Sequence, residues 1–137
     1  MSRDVTSSFV ALLYSIVLAP GRRVVMAELR AMAAELGRGA PRTLVATGNL
    51  VFEAEGDARA LEARLERAFA ARFGKHIDII VRDADGWRGL VAGNPFPRAS
   101  AARPAQVAVR VMRAPLDPGF AASLEPYRAG RERIAVV

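Results

Sequence analysis

The sequence predicts an α+β fold: a ferredoxin-like βαββαβ unit followed by a partial second α+β portion. Three observations carry the prediction. Two stretches, 25–36 and 57–73, repeat apolar residues at helical spacing. A hairpin stretch, R-T-L-V-A-T-G-N-L-V-F-E-A-E at 42–55, lies between them. An apolar run precedes the first helix, and an alternating run, Ile77 to Arg82, follows the second. The order is strand, helix, strand, strand, helix, strand. In that unit one four-stranded antiparallel sheet carries both helices on one face.

Each element has its own reason. Phe9 to Ala19 is apolar apart from Ser15. A secretory core is disfavoured: Asp4 cancels Arg3, Tyr14-Ser15 interrupts the run, and Pro20 would follow the cleavage point. The run is too short to span a bilayer as a helix. A buried central strand from Ser8 to about Ser15 is expected, with no membrane contact and the cytoplasm as location. Val17 to Arg23 reads as a loop around Pro20-Gly21. In the first helix, about Val25 to Leu36, one face holds Met26, Leu29, Met32 or Ala33, and Leu36. Gly37 is expected to end it in a left-handed conformation. Arg38 to Pro41 reads as a connector.

The hairpin is expected to turn at Thr47-Gly48-Asn49, where Gly and Asn tolerate positive φ. With a two-residue turn, Thr43, Val45 and Thr47 share a side with Leu50, Phe52 and Ala54. Asp57 is a good N-cap for the second helix. Leu61, Leu65, Phe69 and Phe73 recur at intervals of four, and Gly74 ends the helix. Glu62, Arg64, Glu66, Arg67 and Arg72 read as its wet face. In the next strand Ile77, Ile79 and Val81 point one way, and Asp78, Ile80 and Arg82 the other, which suits an edge. Asp83 caps a short helix carrying Trp87, Leu90 and Val91, which Gly93-Asn94-Pro95-Phe96-Pro97 stops. Arg98 to Ala105 reads as a mobile link. Gln106 to Met112 reads as a fifth strand, a helix of about two turns starts at Pro118, and Ile134 to Val137 begins a sixth strand. The expected division is residues 1–97 as the ferredoxin-like domain and 98–137 as a partial β-α-β portion.

Composition bounds the chemistry. The 137 residues suit one domain, or one and part of a second. No cysteine is present, so disulfides and thiolate metal sites are excluded, and His76 as the sole histidine excludes a two-histidine motif within one chain. The formal charge is +6, and every basic residue but Lys75 is arginine. The arginines are scattered, with Arg22-Arg23 the one adjacent pair. Asp83 and Asp85 lack a third metal ligand, and His76 reads as a surface residue. No serine sits in a nucleophile elbow, and no phosphate-binding glycine motif occurs. The expectation is therefore a non-catalytic chain with no catalytic residue, no metal and no cofactor.

Four separated segments resemble the domain-of-unknown-function family 1697: F-V-A-L-L at 9–13, M-A-E-L-R at 26–30, R-T-L-V-A-T-G-N-L-V-F at 42–52 and G-N-P-F-P at 93–97. The resemblance implies an α+β fold with a second α+β portion, and no established activity. The family's R-G-I-N-V-G-G-K-N is replaced by Tyr14 to Arg22, and its hairpin glutamine and serine by Ala46 and Thr47. Its closing S-K-L and T-x-R-N-W segments are missing, which implies a diverged and shortened member.

Three functional readings follow. The first is a module that associates with a second copy or another partner, motivated by the incomplete second portion and its closing hydrophobic strand. The second is binding of nucleic acid or a small anion by the basic surface and hairpin tip, with Tyr14, Arg22, Arg23, Thr47, Gly48 and Asn49 as binding residues. The third is an enzyme acting on a small anionic substrate through Thr47, Asn49 and arginines.

Overall fold

The computed structural model describes residues 6–44 and 48–137, apart from the side chains of Arg38 and Ala40. Contacts divide the chain into two compact units, residues 1–88 and 89–137.

The first unit opens with strand β1 (Ser7–Leu13). A small antiparallel ribbon follows, β2 (Val17–Ala19) with β3 (Arg22–Arg23). The Pro20-Gly21 turn stands where expected, but the loop around it is paired. Then come helix α1 (Met26–Leu36), strands β4 (Arg38–Leu44) and β5 (Asn49–Ala54), helix α2 (Ala58–Phe73) and strand β6 (Ile79–Asp83). The main strands form an antiparallel sheet in the order β4-β5-β1-β6. Ribbon aside, this is the arrangement expected of a split βαβ unit.

Alternation decides which face is covered. Phe9, Ala11 and Leu13 of β1, Leu50, Phe52 and Ala54 of β5, and Ile79 and Val81 of β6 are buried in one cluster. Leu29, Met32 and Ala33 of α1 and Leu61, Leu65 and Phe69 of α2 complete it, so both helices lie over the same face. Phe9 and Phe52 are cross-strand partners whose rings stack at 5.8 Å.

The hairpin register refines the expectation. Thr43 stands opposite Leu50 and Leu44 opposite Asn49, so residues 45–48 connect the strands. The connection is two residues longer than a tight turn. An even shift keeps the facing, and Thr43 shares its side with Leu50 as anticipated. Val45, Ala46 and Thr47 lie outside the described residues.

Other segments depart from the sequence reading. Gly37 is extended, at φ −114° and ψ −173°, not left-handed. Its small size serves close packing instead, because a Cβ there would stand 2.6 Å from the Glu53 carbonyl oxygen. The chain enters β4 at once, so Arg38 to Pro41 is strand and not connector. Its register shifts between Arg38 and Arg42, a bulge on an edge strand, where Pro41 is also tolerated.

Helix α3 (Ala84–Ala92) contains the boundary after Arg88 and is held at its start by the Gly86 N–H donating to Asp83 Oδ1. Residues 97–102 form helix α4 (Pro97–Ala102), not a link. Pro97 suits a first helical position, and Asn94 Nδ2 donates to Ser100 Oγ at 2.8 Å across that first turn. Helix α5 (Phe120–Leu124) runs into a 3₁₀ turn, Glu125–Tyr127, and starts two residues after Pro118. Neither Gln106–Met112 nor Ile134–Val137 forms a strand among the described residues. The valine alternation is real, but alternation makes a strand only where a ladder of backbone hydrogen bonds forms beside it.

Candidate functional site at the ribbon end of the sheet

One end of the main sheet gathers most of the candidate binding residues. β1 leaves the sheet there, β5 and β6 enter it, and the β2–β3 ribbon stands beside it. The Val24 N–H donates to the Ile16 carbonyl at 2.8 Å, and both side chains are buried, which fixes the ribbon to the core. Lys75 Nζ donates to the Val17 carbonyl at 2.8 Å, and Val17 stands opposite Arg23. Arg22, Arg23 and Lys75 are thereby grouped around one ribbon. Tyr14 is 83% exposed, and its N–H donates to the Asp78 carbonyl at 3.0 Å.

The hairpin tip is placed differently. Gly48 is buried at φ +90°, and a Cβ on it would stand 2.6 Å from Ile16 Cγ2 and 3.3 Å from Leu13 Cβ. Its role here is packing against the ribbon's base. Asn49 is half-buried on the sheet face away from the helices. There it lines a shallow apolar hollow of about 170 Å³ with Val10, Leu12, Leu44, Val51 and Trp87. Trp87 is the one aromatic among its lining residues, so the hollow offers little to stack bases on. Thr47 lies outside the described residues.

Sequence reading missed two carboxylates. The amphipathic pattern puts Glu62 and Glu66 on the wet face of α2, yet Glu62 is only 7% exposed and Glu66 is half-buried. The Val81 N–H donates to Glu62 Oε2 at 2.9 Å, and the Ile79 N–H to Glu66 Oε1 at 3.3 Å. β6 is an edge strand, and these are two of its outward donors. Four residues along a helix span about 6 Å, and two along a strand about 6.7 Å, so acids at i and i+4 match alternate strand donors. The matching signal was the E-x-x-x-E spacing between apolar positions of an otherwise amphipathic helix.

At the same end, ligand atoms of Glu66, His76 and Asp78 all lie within 4.8 Å of one another. His76 Nε2 and Asp78 Oδ1 are 3.6 Å apart. Asp83 and Asp85, the pair weighed from sequence, are bound to their own helix start: Asp83 takes the Gly86 N–H and Asp85 pairs with Arg88. No helix among the described residues is long and apolar enough to cross a membrane.

These features define an α+β protein on an antiparallel sheet whose helices cover one face. The family model described as "Protein of unknown function (DUF1697)" matches residues 6–137, and the chain belongs to that family. A solved structure, conserved bacterial protein SP0830 from Streptococcus pneumoniae, is similar with a TM-score of 0.58 and 21% identity. The match covers 72% of this chain and 53% of that one, so the chain spans about half the length of that relative. No curated protein matches.

Proposed function

We propose that this chain is a non-catalytic binding module that associates with a second copy of itself through residues 89–137. One observation carries the reading: none of those residues is buried, although they include Val91, Val109, Met112, Phe120, Tyr127, Ile134 and Val137. Val109, for example, is 67% exposed. Apolar groups without a core contribute little stability, and helices this short are marginal alone. Association would cover them. Strand edges are poor alternatives, because the Ile79 and Val81 donors of β6 are taken by Glu66 and Glu62 and β4 carries a bulge and Pro41. Size exclusion with light scattering is expected to show a mass that rises with concentration, and Phe120→Ser with Ile134→Ser is expected to return it to that of one chain. A strict monomer at high concentration would sink the reading.

A second reading has its own support in the grouping of Arg22, Arg23 and Lys75 beside exposed Tyr14. In it the ribbon end binds a polyanion, single-stranded nucleic acid being the natural probe, with Asn49 at its margin. Binding would fall with salt, and Arg22→Ala with Arg23→Ala would lower the log–log salt slope by about 1.4, the single-strand value for two phosphate contacts. Salt-independent binding, or none, would remove it.

A further inference from the structure

We propose that Glu66, His76 and Asp78 form a binding site for a divalent transition-metal ion, with Zn²⁺ the species their chemistry favours. The ligand atoms come from two elements: Glu66 projects from α2, and His76 and Asp78 from the extended segment entering β6. Ile77 between them is 4% exposed and goes into the core, which turns its two neighbours outward together. That segment is tied on both sides, by Lys75 Nζ on the Val17 carbonyl and by the Tyr14 N–H on the Asp78 carbonyl. Glu66 is oriented as well, since its Oε1 accepts the Ile79 N–H at 3.3 Å. Hydrogen bonds of this kind hold ligands in place around metal ions.

The donor set points to the ion. One imidazole and two carboxylates, from Glu66, His76 and Asp78, meet in the same cluster. Ligands on one Zn²⁺ at about 2.0–2.2 Å stand roughly 3.4 Å apart in a tetrahedron, so the mutual spacing within 4.8 Å closes by small side-chain rotations. One imidazole nitrogen with two carboxylate oxygens suits a borderline ion. Ca²⁺ and Mg²⁺ prefer more oxygens and no imidazole. Three protein ligands leave at least one position for water. The site draws on none of residues 89–137 and does not depend on the association proposed above.

The experiment is a calorimetric titration of the untagged 137-residue chain with Zn²⁺ and, in parallel, Mg²⁺. His76 is the sole histidine, so its ring resonances in an NMR spectrum report ligation without assignment ambiguity. The expected result is one Zn²⁺ per chain, displaced His76 resonances and no comparable Mg²⁺ binding. Outer-shell groups alone change affinity about 10–100-fold, so His76→Asn or Asp78→Asn is expected to weaken binding at least about tenfold. Glu66→Gln keeps an oxygen for the Ile79 N–H while losing the charge. It is expected to weaken Zn²⁺ binding with the thermal transition of the metal-free chain kept. No saturable Zn²⁺ binding, binding matched by Mg²⁺, or binding indifferent to these substitutions would each overturn the site.

Discussion

Glu62 shows how one buried charge is justified by the backbone beside it. Its Oε2 accepts the Val81 N–H at 2.9 Å and stands 3.8 Å from Arg82 Nη1. Glu62→Ala would leave a donor beside the core without its acceptor, at a cost of about 1–3 kcal/mol. Glu62→Gln, which retains an oxygen, should cost less; urea unfolding followed by Trp87 fluorescence measures both. Gly48 makes the opposite case, a residue whose absence of a side chain is the function. Gly48→Ala meets both a left-handed backbone and Ile16 Cγ2 at 2.6 Å, so a loss of about 3 kcal/mol is expected in the same assay. The need for glycine at 48 was legible in the sequence; that it packs on the ribbon was not, because Ile16 lies in another segment. Glu62 was misread because pattern analysis sends every acid of an amphipathic helix to water. It could have been recovered only by knowing that an edge strand lies alongside.

At the scale of elements, local chemistry marked the boundaries. The Ala60 N–H donates to Asp57 Oδ1 at 2.8 Å, and Gly74 closes α2 at φ +74°. Both groups act within a few residues of themselves, which is why they were readable. Asp57→Ala should remove about 1 kcal/mol from the unfolding free energy, with a lowered urea midpoint and an unchanged slope. The strands split by the same criterion. β1, β5 and β6 were legible because a buried face imposes alternation on paired neighbours. The valines at 107, 109 and 111 show that pattern without a partner, and the segment is irregular. Arg98 to Ala105 erred the other way: prolines suggested a link, while the alanines between them are good helix formers and Pro97 is placed to start one.

At the scale of the molecule, the core and the exposed apolar residues belong to different parts of the chain. Every member of the hydrophobic cluster lies between Phe9 and Val81, and the last 49 residues add none. The strands and helices of the first unit were legible because their pattern is self-contained, whereas the strands expected at 106–112 and 134–137 do not form. Backbone amides buried under α1 and α2 should therefore exchange only on global unfolding, while those of 97–137 exchange through low-energy local opening. Hydrogen–deuterium exchange read by mass spectrometry separates the two. The proposal of self-association adds a condition that simple looseness would not satisfy. If a second copy covers Phe120, Tyr127 and Ile134, protection across 107–137 must rise with protein concentration, since the associated state is populated by mass action. Protection in β1, β5 and α2, already at the global limit, would change little. Fast exchange over 107–137 that is the same in dilute and concentrated samples would leave this segment open and the second copy without a role.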